Sequence, residues 1–288
     1  NAFTYVDDQL HAENVSLAGL AERFGTPLYV YSRGHLRAQY RGLKEAMRAI
    51  DPLICFAAKA NSNGAVLRTF AAEGAGFDIV SGGELFRVIR AGGDPEKIVF
   101  AGVGKTHEEI TYALECGILF FTVESEPEAK RISQCAVKAG VEGRIAFRIN
   151  PDVDPKTHSY ISTGRKEDKF GLNIERTLNA YEMAATLPGI EITGLHIHIG
   201  SQILSPQPFA DAIARVSDLC TTLRERYDTF RYLDIGGGIG IQYERNEAPL
   251  DPADYADVVV PALRETGLQI VMEPGRSLAG NAGVLVCR

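Results

Sequence analysis

Residues 98–150 read IVFAGVGKTHEEITYALECGILFFTVESEPEAKRISQCAVKAGVEGRIAFRIN, and this stretch decides the fold. Three short β-rich runs, Ile98–Val103, Ile118–Val123 and Arg144–Asn150, are separated by two longer segments with helical patterning. Each helical segment opens on a hydroxyl followed three residues later by glutamate, Thr106 with Glu109 and Ser125 with Glu128. A hydroxyl and a carboxylate so spaced satisfy free amides of a helix's first turn, the capping box. Working outward, the same alternation gives Leu53–Ala58 and Phe77–Val80 before this stretch, with a third such box at Ser81 and Glu84. Ile192–Ile199, Tyr232–Ile235 and Leu268–Glu273 come after it. Phe209, Ile213, Val216, Cys220 and Leu223 mark one apolar helical face, and Asp251-Pro252 opens another helix in cap-then-proline order. Eight strand–helix units predict an α/β protein, a (β/α)8 TIM-type barrel rather than an open doubly wound sheet.

Composition agrees with that class and excludes others. The 288 residues are 45% hydrophobic and 23% charged, with net charge −7, which fits a globular protein and not a disordered or fibrous one. The acidic balance offers no electrostatic footprint for nucleic acid. No apolar run is long enough to span a membrane, and the first residues, NAFTYVDDQLHAENV, lack the pattern of a secretory signal. Five cysteines at 55, 116, 135, 220 and 287 have no zinc or disulfide spacing, so a reducing cytoplasm is expected.

Two segments fall outside the eight units. Residues 1–32 contain an extra strand-like run, Leu28–Tyr31, and residues 279–288 end on GVLVCR. Such runs need pairing partners for their backbone groups. The expected organisation is a barrel over 33–278, with 1–32 and 279–288 belonging to a mostly β domain that lies largely beyond this chain.

Barrel enzymes build their sites at the C-terminal ends of the strands. Those ends carry Lys59, Asp78, Arg148 with Asn150, His196 with His198, Asp234 and Glu273. Alternation places Cys55, Ala57 and Lys59 on one inner face, and His196 with His198 on another, leaving Leu195, Ile197 and Ile199 towards the helices. Burial of Lys59 would lower its pKa and make it a nucleophile towards aldehydes; the plainer reading is a lysine that reaches solvent. Gly236-Gly237-Gly238-Ile239-Gly240 stands too late for a dinucleotide fingerprint, and is either a phosphate cradle or a tight turn. His196-x-His198 lacks a third ligand at metal spacing, so no metal is expected. One imidazole is suited to stack on a flat ring, and His196 reads as a hydrogen-bonded interior histidine. Glu273 and Arg276, alone, would be an ordinary ion pair. Together, an amine, a stacking group, phosphate donors and a partner for a ring nitrogen suit pyridoxal 5'-phosphate.

With these residues in view, the chain resembles the diaminopimelate decarboxylase family of fold type III, the alanine-racemase-like pyridoxal-phosphate enzymes. The resemblance runs from PLYVYS (27–32) to the end, through FAAKANSN (56–63), GFDIVSGGEL (76–85), FRINPDVD (147–154), GLHIHIGSQI (194–203), LDIGGGIGI (233–241) and EPGRSLAGNAG (273–283). The run HSYISTGRKEDKFGL (158–172) separates this family from ornithine and arginine decarboxylases. The resemblance implies Schiff-base linkage at Lys59 and ring stacking by His198. It implies phosphate contacts from Ser201, Gly237, Gly238 and Gly275, Glu273 at the pyridine nitrogen, and Asp78 and Arg148 around the ring. Arg276 would lie between the phosphate and a substrate carboxylate. The implied reaction converts meso-2,6-diaminopimelate, at its D centre, to L-lysine and CO2, the last step of lysine biosynthesis. The family's proton-donating cysteine belongs to the C-terminal β domain, and Cys287 does not match its motif. A homodimer with shared sites is implied, so this chain alone is expected to be inactive. The rivals are a decarboxylase of another basic amino acid or carboxylated polyamine, and a non-catalytic pyridoxal-phosphate-binding barrel.

Overall fold

The computed structural model describes residues 2–154, 171–244 and 247–288. Eight parallel strands close on themselves: β1 (Leu53–Ala57), β2 (Gly76–Ile79), β3 (Ile98–Phe100), β4 (Phe120–Val123), β5 (Gly143–Asn150), β6 (Ile190–Ile197), β7 (Tyr232–Asp234) and β8 (Gln269–Met272). Pairing runs in sequence order from β1 to β8, and β8 pairs back onto β1 through Val271↔Leu53 and Met272↔Ile54. The predicted (β/α)8 barrel is therefore the observed fold. The motif HSYISTGRKEDKF (158–170) lies outside the described residues. No helix among the described residues is long and apolar enough to cross a membrane.

Strand alternation produces two cores. Cys55, Val99, Leu119, Phe120, Ala146 and Val271 fill the barrel interior, while Ile54, Phe56, Leu195 and Ile197 pack outward under the helices. The helix Gln207–Arg226 buries Phe209, Ile213, Val216, Cys220 and Leu223, the predicted face. Asp251 caps the helix Pro252–Thr266 by accepting from the Ala253 amide at 2.7 Å.

The three predicted capping boxes differ in detail. Only Thr106 and Glu109 form the reciprocal pair, with the Glu109 carboxylate accepting from the Thr106 amide at 3.0 Å. At the other two sites the serine caps as expected, but Glu84 reaches back to the Val80 amide and Glu128 to the Glu124 amide. Each glutamate thus caps one residue further upstream and pins the strand exit to its helix. Glu128 has a second reason to turn inward: Lys105, 2% exposed, donates to its carboxylate and to the Gly102 and Thr122 carbonyls, each at 2.7 Å.

At the N-terminus, Phe3–Val6, Gln9–Ala12 and Val15–Ser16 form a small antiparallel sheet that the sequence reading does not anticipate. Its first turn is made by Asp7 and Asp8 at φ 49° and 61°. A two-residue hairpin needs positive φ at both positions, which Asn-Gly signals and Asp-Asp does not. The predicted strand Leu28–Tyr31 is present and pairs antiparallel with Gly283–Val286.

The buried Lys105–Glu128 pair generates a test of the barrel's stability. Removing one partner leaves an uncompensated interior charge, so Lys105→Met should cost about 3 kcal/mol in urea denaturation. Adding Glu128→Gln should restore part of that loss, because no charge is then stranded. Equal loss in the single and double variants would show that packing, not charge pairing, holds this corner.

Candidate active site

A cavity of about 600 Å³ opens at the C-terminal ends of the strands. Its wall includes Lys59, His198, Ser201, Gly238, Glu273, Gly275 and Arg276. A second hollow of about 630 Å³ lies against the helices Arg33–Ala46 and Gly64–Ala72, where Arg33, Arg68 and Thr69 supply its polar lining. Although slightly larger, it has no carboxylate, imidazole or lysine, and the chemistry collects at the strand ends. The two-stranded sheet of Leu28–Tyr31 and Gly283–Val286 contributes there too, since Tyr29, Tyr31, Val284 and Leu285 form one side of the mouth.

Lys59 follows β1 in a short 3-10 turn, Ala58–Ala60, which lifts its amine over β2. Nζ donates to Asp78 Oδ2 at 2.6 Å; the lysine side chain is half exposed and the aspartate fully buried. Burial acts to lower the Lys59 pKa, but the Asp78 and Glu273 carboxylates outweigh it and hold the amine above its ordinary value. The expected depression is thereby reversed, because the lysine emerges opposite a buried acid rather than in an apolar pocket. Asp78 is itself pushed up to about 7, by burial first and by the Glu273 charge second, against the pull of Lys59.

Glu273 leaves β8 with its amide donating to the Gly236 carbonyl at 2.8 Å. Its Oε2 lies 3.2 Å from His196 Nε2, and Oε1 is buried with no partner among the described residues. Burial would raise this carboxyl, yet His196, through its charge and its hydrogen bond, and then the Lys59 ammonium hold it below the usual carboxylate range. Asp234, fully buried, accepts from the Gly236 amide at 2.8 Å, and burial followed by the Glu273 charge pushes it well up. Ligand atoms of His196, Asp234 and Glu273 all lie within 4.8 Å of one another. The fold thus supplies the carboxylate neighbours whose absence near His196 in sequence argued against a metal. His198 stands outside that group, so the His-x-His pair does not act as one unit.

His198 is held below its ordinary pKa by burial, then by the Arg148 and Lys59 charges, which leaves a neutral ring. The Gly237 amide donates to its Nδ1 at 3.2 Å, and a Cβ on Gly236 would stand 2.7 Å from the same nitrogen. The glycine triplet therefore lets strand seven's loop close onto the imidazole. The Gly237 amide thus faces His198, and Gly238 lines the cavity. At Gly238, φ is +116° and a Cβ would meet the Gly200 carbonyl at 2.6 Å. A Cβ on Gly275 would press on Ala57 and Ala60 at 3.0 and 3.2 Å.

Arg276 donates through Nε and Nη2 to Ser201 Oγ at 3.2 and 3.1 Å, and through Nη1 to the Tyr243 hydroxyl. Arg148 lies further round the barrel, paired with the buried Glu124 carboxylate at 3.1 Å. Asn150, also at a strand end, caps the next turn by accepting from the Asp152 amide. Neither Arg148 nor Asp78 is part of the cavity wall; Asp78 reaches it through Lys59. Tyr243 and Glu124 were not anticipated: one sits in the loop after the glycines, the other just beyond β4, and neither position carries a motif.

The residues fit pyridoxal phosphate on structural grounds. A buried carboxylate oxygen lacks a partner among the described residues, an amine stands nearby, and at two glycines of the cavity wall a side chain would crowd its neighbours. Residues 33–280 match the pyridoxal binding domain of the pyridoxal-dependent decarboxylases. The chain is 49% identical over 288 residues to a diaminopimelate decarboxylase of Pseudomonas aeruginosa, covering all of this chain and 69% of that protein. It superposes with TM-score 0.89 and 41% identity on the Helicobacter pylori diaminopimelate decarboxylase solved with L-lysine, covering 93% of this chain and 68% of that one. The corresponding figures for the M. jannaschii enzyme, also solved with L-lysine, are 0.91, 36%, 99% and 69%. The chain belongs to the pyridoxal-dependent decarboxylases and, within them, to the diaminopimelate decarboxylase family.

The ion pair predicts a reversal in reactivity. In the apoprotein, Asp78→Asn removes the principal charge that holds the Lys59 proton, leaving burial to dominate. Reductive methylation of Lys59 at pH 8, followed by mass mapping, should be faster in the variant than in the parent protein. An unchanged rate would mean that Asp78 does not control the amine.

Proposed function

We propose that this chain supplies the cofactor-binding half of a decarboxylase that removes CO2 from the D centre of meso-2,6-diaminopimelate and yields L-lysine. The observation that carries the reading is the meeting of Lys59, His198, Glu273 and Arg276 around one cavity, with Glu273 Oε1 buried and unspent.

Pyridoxal phosphate, when bound, supplies an aldehyde for an amine and a ring that accepts the electron pair left by departing CO2. Lys59, Ser201, Gly238, Gly275 and Arg276 would hold it, with Glu273 at the ring nitrogen and His198 on the ring face. A carboxylate at that nitrogen keeps it protonated and favours electron withdrawal. The neutral His198 can stack without adding positive charge, and with Nδ1 accepting from Gly237 its Nε2 carries the proton. Lys59 must lose a proton before it can act as a nucleophile, and Asp78 Oδ2, 2.6 Å away, is placed to take it. A carboxyl held near 7 can accept and return a proton at neutral pH. Arg276, fixed by Ser201 and Tyr243, offers its guanidinium to phosphate or to the substrate's reacting carboxylate.

Residues 1–32 and 279–288 we assign to a second, β-rich unit around the sheet Leu28–Tyr31 with Gly283–Val286, and residues 33–278 to the barrel. In this reading that unit reads the distal end of the substrate and donates the final proton, within a homodimer of shared sites. The free cysteines fit a reducing compartment, so we infer a cytoplasmic enzyme.

The test uses the full-length protein. Borohydride reduction with pyridoxal phosphate should place one pyridoxyl adduct, on Lys59, and Lys59→Ala should lower CO2 release by at least about 10³-fold. Meso-diaminopimelate should be consumed and the LL isomer, which has no D centre, should not. Equal turnover of both isomers, or faster release from lysine or ornithine, would overturn the assignment.

A further inference from the structure

His196 is absorbed by none of the roles above, yet it is 1% exposed and sits directly behind the residue on which ring binding depends. It points inward from β6, where it pairs in register with Asp234 of β7. One neighbouring acid is already engaged, because Asp234 Oδ1 accepts from the Gly236 amide. The imidazole's contact with a carboxylate is with Glu273, Nε2 to Oε2 at 3.2 Å, while Asp234 Oδ2 is buried with no partner among the described residues. Glu273 Oε1 is left as a buried acceptor with no partner among the described residues.

We infer that His196 is a positioning residue: its Nε2–H donates to Glu273 Oε2, fixes the carboxylate's rotation, and leaves Oε1 as the single acceptor offered to the ring nitrogen of the cofactor. This rests on the assignment of Glu273 to that nitrogen. A carboxylate with two open oxygens could turn to face Lys59 or Asp234, so a donor on one oxygen selects one orientation. The donor also acts on charge. Burial alone would raise the Glu273 carboxyl, and His196 is the first of the influences that lower it. An ionised Glu273 is what a protonated ring requires. The Lys59 ammonium adds to the lowering, and Asp78 and Asp234 are the other acids that share the field of this carboxylate.

The test compares His196→Gln, which keeps an N–H donor, with His196→Met, similar in length and without one. Full-length variants would be titrated with pyridoxal phosphate, recording dissociation constant and absorption spectrum alongside the far-ultraviolet dichroism of the apoprotein. His196→Met should weaken cofactor binding about tenfold and shift the band of the bound cofactor, with secondary structure retained. His196→Gln should recover affinity and spectrum to within about threefold of the parent. If both variants behave alike, the donor is irrelevant and the inference fails. Glu273→Gln separates the two levels of argument. If Glu273→Gln leaves affinity and spectrum unchanged, the ring-nitrogen assignment itself is wrong. If it alters them and His196→Met does not, only the role of His196 is overturned. Should His196→Met fail to fold, the double variant with Glu273→Gln decides: recovered folding supports the pair, and continued failure marks His196 as packing alone.

Discussion

Asp78 and Asp234 are fully buried and Glu273 nearly so, in one barrel mouth. An uncompensated carboxylate in such surroundings costs several kcal/mol, so each needs its own partner. Asp78 takes Lys59, Asp234 takes the Gly236 amide, and Glu273 takes His196. Closure of the barrel makes these pairings possible. Because β8 pairs with β1, the strands β6, β7, β8, β1 and β2 run side by side, and all six groups belong to that arc or to its loops. Register refines the match: Ala57 stands opposite Asp78, one turn before Lys59, and His196 opposite Asp234. The opposite arc contributes apolar filling and its own closed ion pair, Lys105 with Glu128.

The same constraint explains the glycines after β7. Gly236 must bring an amide back onto Asp234 and let the chain pass within contact of His198, and its φ of +68° belongs to the left-handed region that side chains disfavour. The next amide then reaches His198 Nδ1. The loop proposed to cradle a phosphate is thus also the element that compensates one acid and orients one imidazole. Substitution there would disturb all three at once.

Much of this was legible in sequence, for reasons that are local. Strand-end polar residues stand out because alternation assigns them a face, which located Lys59, Asp78, His198 and Glu273 without any contact information. Capping hydroxyls are legible for the same reason, since an N-cap depends on residues three apart. What the chain did not disclose depends on neighbours brought by closure. The Lys59 amine cannot be known to be raised until Asp78 is seen at its side. His196 looks like an ordinary interior histidine until β8 delivers Glu273, 77 positions away, to its Nε2. Tyr243 carries no pattern at all; it matters only because Arg276 turns towards it.

Depth sorts the remaining charge. Glu273 lines the cavity at 6% exposed, with Asp78 and Asp234 buried behind its wall, whereas Arg276 is half-buried and reaches the hydroxyl of Tyr243, a residue 62% exposed. Before any ligand enters, the ionised acid of the cavity wall is Glu273, since burial pushes Asp78 and Asp234 up, and the rim carries the Arg276 guanidinium. A flat molecule with a basic ring nitrogen at one end and an anionic group at the other is favoured in one orientation and opposed in the reverse by repulsion at both ends. Under the proposed function, Lys59 would meet the carbonyl of such a molecule from the side where it leaves β1. The amine there is held as ammonium by Asp78, so it waits in its unreactive form. In the proposed reaction the proton would move to Asp78, a carboxyl that burial has already pushed up to about 7. On the proposed function, the acids that would orient the ligand would also set the moment at which Lys59 becomes a nucleophile.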